Sequence, residues 1–277
     1  MAVYVTGDLH GEPTRLSKDN FYEQKDFSGN KAENIVIIIA GGVGSRVGFD
    51  RPKQVVDGLG KPVLAYTCEI FQENNDIDEI EIVCHPEWME YCSEMVRKYN
   101  LDKVKWIVEG GDTFQYSVIN GVNHLKELVS DGEVSLDDNV YIQYGGAPFT
   151  SQKIVSAVIE MTKEKGSAVT ATPCYQLIAE RESKDTSRKF VDRDKCIQIA
   201  CPQGFRFEYL LDIYHRAFDK DLIDMIDPHT KSLMYDLGDT INYTYGDQTY
   251  NKINTREDIV LFKGYQQLKT SRDKLQD

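Results

Sequence analysis

The stretch that decides the fold is Asn34–Ala40, NIVIIIA, followed at once by residues 41–48, GGVGSRVG. Consecutive β-branched residues without polar alternation are typical of a parallel strand buried on both faces. Further short apolar runs predict strands at 80–84, 104–108 and 139–143, with helical segments between them. Strands that alternate with helices predict an α/β fold, a three-layer, doubly wound, mostly parallel sheet of the Rossmann-like kind. Ligands of such sheets bind beyond the carboxyl ends of the strands.

The glycine-rich loop after the first strand indicates a phosphate site, because glycine lets backbone N–H groups approach phosphate oxygens closely. Arg46 and Lys53 add two cations seven residues apart. A dinucleotide fingerprint would need G-x-G-x-x-G opening a helix and an acidic residue about 20 positions later. A Walker A loop would need G-K-[S/T], whereas Lys53 follows a proline. The loop therefore predicts a phosphate site of another kind.

Composition and net charge argue against several classes of function. The chain has 277 residues, a net charge of −13 and six cysteines without a C-x-x-C pair. The negative charge disfavours binding to nucleic acid or to an anionic membrane. We see no apolar run of the roughly 18 residues that a membrane span needs, and no secretory signal. We therefore expect a cytoplasmic protein with reduced thiols and no membrane or nucleic-acid partner.

Two segments depart from the strand–helix pattern. Residues 173–200 are polar and charged, and we predict a β-arm that projects from the sheet, with Lys189–Val191 paired to 196–199 around the turn at 192–195. At the N-terminus, residues 7–11, GDLHG, resemble the first metal-binding motif of calcineurin-like metallophosphoesterases, through Asp8 and His10. The later motifs of that family are missing, and two ligands do not make a dinuclear centre. We therefore interpret residues 1–30 as a non-catalytic extension and 31–277 as one domain; phosphoesterase activity is an alternative that rests on these two residues.

Five ordered segments carry a second resemblance, which runs from residue 34 to the C-terminus. The loop at 42–54, GVGSRVGFDRPKQ, is similar to G-x-G-x-R-x-G…P-K-Q. It is followed by GGDTFQYSVINGV at 110–122, YGGAPF at 144–149, CPQGFR at 201–206 and NKINTRED at 251–258. In this order the segments resemble the family of 2-C-methyl-D-erythritol 4-phosphate cytidylyltransferase, whose relatives include ribitol-5-phosphate cytidylyltransferases.

The resemblance implies a reaction in which CTP and a sugar or polyol phosphate give a CDP-activated product and pyrophosphate, with Mg²⁺ as cofactor. It also implies a homodimer in which the arm reaches across to the partner. The implied catalytic residues are Arg46, Lys53 and Lys252. The implied nucleotide-binding residues are Ala40, Gly41, Gly42, Gly44, Ser45, Gly111, Asp112 and Ser117, of which Gly41, Gly111, Asp112 and Ser117 would recognise the base. Asp112 also has the alternative role of capping the following helix.

The sequence departs from the family at the acceptor side. Tyr144 stands where the family has an Asp that helps to bind Mg²⁺, Ala147 and Phe114 stand where it has arginines, and Gln176-Leu177 replaces an Asp-Thr of the arm. Tyrosine cannot replace a carboxylate as a hard Mg²⁺ ligand. The metal ligands are thus unknown from sequence, with Gln143 and Asp247 as candidate oxygen donors, and His229-Thr230 as candidates for lining the acceptor pocket.

Three readings stay open at this point. The first is a cytidylyltransferase that uses a sugar or polyol phosphate other than methylerythritol phosphate, as the changed acceptor residues suggest. The second is the methylerythritol phosphate enzyme of isoprenoid synthesis. The third is a catalytically silent nucleotide-binding paralogue, for which the surroundings of Tyr144 are the discriminating feature.

Overall fold

The computed structural model describes residues 33–42, 55–224, 229–247 and 250–276, with the backbone alone for 270–276. All of these residues belong to one compact unit, Glu33–Asp277. The predicted N-terminal extension, 1–30, with Asp8 and His10, lies outside the described residues and stays a prediction.

Strands and helices alternate along most of the described chain. The strands are β1 Asn34–Ala40, β2 Glu79–Cys84, β3 Val104–Glu109, β4 Asn139–Tyr144, β5 Ser167–Pro173, β6 Ile178–Glu180, β7 Lys189–Val191, β8 Ile197–Arg206 and β9 Tyr243–Tyr245. The helices are α1 Val63–Gln72, α2 Met89–Lys98, α3 Phe114–Asp131, α4 Gln152–Lys165, α5 Phe207–Asp219, α6 Thr230–Leu237 and α7 Arg256–Gln276.

Seven of these strands form one sheet in the order β3-β2-β1-β4-β8-β5-β9. The β3-β2-β1-β4 part and the β5–β9 pair are parallel, whereas β8 runs antiparallel to β4 and β5. Helices α3 and α5 cover one face and α1, α2 and α4 cover the other. The predicted three-layer, mostly parallel α/β fold is confirmed.

Strand β1 lies in the middle of the core and supplies both faces of it. Ile35, Ile37 and Ile39 pack into the cluster beneath α3 and α5, and the alternate residues pack into the cluster beneath α1 and α4. All seven residues of the strand are buried. Burying one such aliphatic side chain contributes about 1.5–3 kcal/mol. Both helical layers therefore pack against apolar side chains of this strand, which explains why its sequence is an unbroken apolar run.

The helix that carries the predicted base-binding residues begins at a side-chain cap. The Thr113 hydroxyl accepts a hydrogen bond from the Tyr116 N–H at 3.2 Å, and α3 ends at Gly132 with φ 74°. The cap is thus Thr113, and the capping role predicted for Asp112 is wrong by one residue. Threonine hydroxyls and aspartate carboxylates satisfy the same free N–H groups, so the sequence alone did not separate them.

The arm contains a two-stranded antiparallel sheet, but its pairing differs from the prediction. Lys189–Val191 pairs with Ile178–Glu180, and Ile197–Ile199 instead joins the main sheet beside β5. The predicted turn forms, as a short 3₁₀ helix at Arg193–Lys195 capped by Asp192. The prediction of a local hairpin was wrong because this turn leads into the ten-residue strand β8, whose long ladder with β5 provides more backbone hydrogen bonds.

A buried acid–histidine pair lies where α3 packs on the sheet. The Glu81 side chain is fully buried, and its Oε2 lies 2.5 Å from Nδ1 of His124. A Cβ at Gly121 would lie 2.6 Å from Glu81 Oε1, so this glycine allows the helix its close approach. Burial raises the pKa of Glu81 to about 7 although His124 acts to lower it. The hydrogen bond to Glu81 raises the pKa of His124.

This pair predicts a stability that falls as the pH rises. Both pKa values lie above their unfolded values, so the contribution is present at low pH and is lost as the pH rises from the ordinary range of a carboxyl group through about 7, the pKa of Glu81. We expect the free energy of unfolding in urea to fall by about 1–3 kcal/mol over that range, and Glu81→Gln to flatten the slope. His215→Gln is the control, because His215 is exposed and pairs across its own helix turn with Asp219. A Glu81→Gln variant with the wild-type slope would contradict the assignment.

Candidate active site

The ends of β1 and β3 meet at one buried serine. A Cβ added to Gly41, directly after β1, would lie 2.8 Å from Ser117 Oγ, and one added to Gly110, after β3, would lie 3.0 Å from it. Ser117 itself is buried in the first turns of α3. The structure thus brings Gly41, Gly111 and Ser117 together at the carboxyl edge of the parallel strands, and their role in nucleotide binding stays a prediction.

Ser117 holds the turn that connects β3 to α3. Its Oγ accepts a hydrogen bond from the Gly111 N–H at 3.1 Å and lies within donating distance of Gly111 O and Thr113 O, at 3.2 and 2.9 Å. Asp112 is exposed on the same turn, while Ala40 is buried at the end of β1 and Gly42 is exposed beyond it. The serine hydroxyl therefore fixes the backbone groups that the sequence assigns to base recognition.

Four of the predicted phosphate-binding residues fall outside the described part of the chain. These are Gly44, Ser45, Arg46 and Lys53, which lie between residues 42 and 55. Their roles stay predictions.

Lys252 is the predicted catalytic residue that the structure describes. Its loop is fixed to the end of β4, because the Ile253 N–H donates to Gly146 O at 2.8 Å. The side chain then places Nζ 3.6 Å from the centroid of the Tyr144 ring. Lys252 thus lies over the last residue of β4, at the same carboxyl edge as Gly41.

Asp258 anchors this loop to the start of α7. Its carboxylate accepts hydrogen bonds from the backbone N–H groups of Asn254 and Thr255, both at 2.8 Å, and from the Asn251 side chain at 3.2 Å. Burial acts to raise the pKa of Asp258, but these hydrogen bonds outweigh it and the pKa is lowered. The N-K-I-N-T-R-E-D segment is therefore a rigid support for the Lys252 backbone.

Three of the residues that depart from the family, Tyr144, Ala147 and Phe114, lie together. The rings of Phe114 and His229 lie 5.3 and 5.8 Å from the Tyr144 ring and 4.9 Å from each other. The Tyr144 hydroxyl lies 3.3 Å from His229 Nδ1 and 3.3 Å from Lys231 Nζ. Sequence reasoning missed Lys231. The one signal that could have indicated it is its position directly after His229-Thr230, the two residues assigned to the acceptor pocket.

Among the described residues, the groups around Tyr144 do not fit a divalent cation. Mg²⁺ prefers carboxylate and water oxygens in octahedral geometry, whereas two lysine ammonium groups approach this ring. The described residues contain no group of three or more His, Cys, Asp or Glu that could hold a metal. Gln143 lies on the opposite face of β4 and donates to Thr150, and Asp247 accepts from Ser151 at 2.8 Å.

Comparison with known proteins gives the family. Residues 34–267 match the family described as 2-C-methyl-D-erythritol 4-phosphate cytidylyltransferase. The chain belongs to this family. The α/β fold, the resemblance and the expectation of a nucleotidyltransferase are thereby confirmed.

The curated relatives have two names. A ribitol-5-phosphate cytidylyltransferase of Lacticaseibacillus paracasei is 35% identical over 230 residues, which cover 83% of this chain and 96% of the relative. A protein of the same name from Streptococcus agalactiae is 34% identical over 231 residues, with 83% and 94% coverage. A 2-C-methyl-D-erythritol 4-phosphate cytidylyltransferase of Thermosipho melanesiensis is 33% identical over 228 residues, with 82% and 95% coverage.

Solved structures share the fold. The 4-diphosphocytidyl-2C-methyl-D-erythritol synthase of Anaerococcus prevotii superimposes with a TM-score of 0.68 at 20% identity, over 85% of this chain and 99% of its own. The Francisella tularensis 2-C-methyl-D-erythritol 4-phosphate cytidylyltransferase gives 0.68 at 24% identity, over 83% and 98%. Among the described residues, no helix is long and apolar enough to cross a membrane.

The position of Ser117 predicts a defect in nucleotide binding. We expect Ser117→Ala to raise the Kd of CTP about tenfold, because the Gly110–Thr113 turn loses its side-chain hydrogen bonds. Isothermal titration calorimetry measures this, and thermal unfolding checks that the fold is kept. Ser93→Ala is the matched control, because its hydroxyl donates to Met89 O within α2, away from the site. An unchanged Kd in Ser117→Ala would move the base pocket elsewhere.

Proposed function

We propose that this chain transfers CMP from CTP to a polyol phosphate of the ribitol 5-phosphate type and releases pyrophosphate. The observation that carries the proposal is the convergence of Gly41, the Gly110–Thr113 turn and Lys252 at one edge of the sheet, in a member of a cytidylyltransferase family. The relatives at 34–35% identity named for ribitol 5-phosphate support the acceptor class.

This transfer needs the two substrates to be positioned and their negative charge to be stabilised, and it does not need a general base. A phosphate oxygen of the acceptor forms a bond to the α-phosphorus of CTP, and the bond from that phosphorus to pyrophosphate breaks. The attacking phosphate is already ionised near neutral pH, so no proton has to be removed. Charge stabilisation then lowers the barrier, and in this proposal Lys252 supplies it together with Arg46 and Lys53.

The glycines at the strand ends favour a small base. Gly41 and Gly110 bring bare backbone to within contact of Ser117, so any added side chain would fill this space. Backbone N–H and C=O groups beside one hydroxyl can match the amino donor and the two acceptors on the edge of cytosine. The proposal therefore predicts discrimination against purine nucleotides.

Mg²⁺ enters the proposal as the ion that accompanies the phosphates of CTP. The described residues around Tyr144 do not fit a metal site held by the protein, so no step of the transfer is assigned to a protein-bound metal.

We also propose that the chain forms a homodimer through the arm. The arm exposes apolar side chains, with Leu177 75% and Phe190 67% exposed, and contiguous exposed apolar surface is typical of interaction sites. Sedimentation at the assay concentration would then give twice the 31.6 kDa mass of the chain, and a monomer would contradict the proposal.

Methylerythritol phosphate is the second candidate acceptor. The 33% identical Thermosipho melanesiensis relative is named for it, with nearly the same coverage as the ribitol 5-phosphate relatives. The same assay that tests the first candidate separates the two.

The decisive assay is pyrophosphate release from CTP and Mg²⁺ with ribitol, ribulose, glycerol, methylerythritol and hexose phosphates. We expect turnover with ribitol 5-phosphate, and little with UTP or ATP in place of CTP. Turnover with methylerythritol phosphate alone would select the second candidate, and silence with every acceptor would contradict transferase activity.

The same assay tests Lys252. We expect Lys252→Ala to lower turnover at least about 100-fold with thermal unfolding nearly unchanged, because a charge in the transition-state site is lost. Lys98→Ala is the matched control, because Lys98 also lies over a tyrosine ring, that of Tyr99, but on the remote helix α2. Wild-type turnover in Lys252→Ala would rule out its role.

A further inference from the structure

Lys231 is a buried cation without a carboxylate partner among the described residues. It lies in the first turn of α6 and is 8% exposed. Its ammonium group donates to two neutral oxygens, Tyr144 Oη and Ala200 O, both at 3.3 Å. Removing a charge from water without a counter-charge is costly, and buried ammonium groups are normally paired. Within the described part of the chain, the charge of Lys231 is therefore balanced by neutral oxygens alone.

A second lysine approaches the same ring. Lys252 Nζ lies 3.6 Å and Lys231 Nζ 5.5 Å from the Tyr144 centroid. Both lysines act on the neighbouring buried thiol of Cys201: burial raises its pKa, and each lysine acts to lower it. Two like charges beside one tyrosine repel each other, and an anion bound between them would remove that repulsion.

The position of Lys231 in the sheet indicates which anion it binds. The glycines and Ser117 lie at the ends of β1 and β3, whereas Lys231 approaches β4 from the side of β8, through Ala200. Lys252 lies at the end of β4, between the two. In an in-line transfer the nucleophile and the leaving group lie on opposite sides of the reacting phosphorus. With the nucleotide on the β1 side, the β8 side belongs to the acceptor.

We infer that Lys231 binds the phosphate group of the acceptor, opposite Lys252, with the Tyr144 hydroxyl held toward the same group. Lys231 and Lys252 together supply positive charge at the end of β4, where the family has a metal-binding carboxylate. No proton has to be transferred in this step, because the acceptor phosphate attacks as an anion. This inference rests on the proposed function for the identity of the anion, although the anion site itself is tested independently.

The test compares Lys231→Met and Lys231→Arg with wild type, with Lys98→Met as the matched control. Because a buried unpaired charge is removed, we expect Lys231→Met to raise the Tm of the free protein. It should also abolish the rise in Tm that inorganic phosphate produces in wild type. Lys231→Arg should restore that rise at least in part. A purely structural role for Lys231 predicts the opposite, a lower Tm in Lys231→Met.

Kinetics and calorimetry identify the ligand. We expect Lys231→Met to raise KM for ribitol 5-phosphate at least tenfold while the Kd of CTP stays within twofold. Loss of CTP affinity with an unchanged acceptor KM would overturn the inference, and so would an unchanged response to inorganic phosphate. If no acceptor is turned over by wild type but the phosphate response still depends on Lys231, the anion site stands and the proposed function fails.

Discussion

The burial of β1 on both faces is the constraint on which the rest of the structure depends. Asn34–Ala40 is buried throughout, so it needs a helical layer on each side, and it pairs in parallel with both neighbours. That arrangement aligns the carboxyl ends of β1, β2, β3 and β4 at one edge. Gly41, Gly110, Tyr144 and the loop that holds Lys252 are neighbours in space for this reason, although more than 200 residues separate the first from the last.

The site differs from the family pattern in how it handles charge. Tyr144 stands in place of a carboxylate, and Lys231 lies beside it together with Lys252, which the family pattern shares. A strand end with two nearby cations and without that carboxylate is less suited to a protein-held divalent cation and better suited to a phosphate. A carboxylate with a metal and a pair of lysines are two ways to place positive charge beside a reacting phosphate. The aromatic packing of Phe114 against Tyr144 and His229 then fixes the position of the hydroxyl.

The sequence predicted those features that reside in local pattern. Short stretches of sequence are enough to recognise the apolar run of β1, the glycines after it and Ser117. The structure places Gly41 and Ser117 next to each other. The features that it missed depend on contacts between distant segments. The role inferred for Lys231 depends on its contact with Tyr144, which lies 87 residues earlier in the chain. The strand at Ile197–Ile199 pairs with β5 because of a long ladder that no local turn signal reveals.

A crystal structure of the protein with CTP would show whether the nucleotide binds at this edge of the sheet. We expect cytosine against Gly41 and the Ser117-supported turn, and the α-phosphate within about 3 Å of Lys252 Nζ, the distance of a charge-assisted hydrogen bond. The β8 side of Tyr144, beside Lys231, would remain open to the acceptor. CTP bound away from the ends of β1 and β3, or with its base beside Lys231, would rule out this assignment of the two substrate sides.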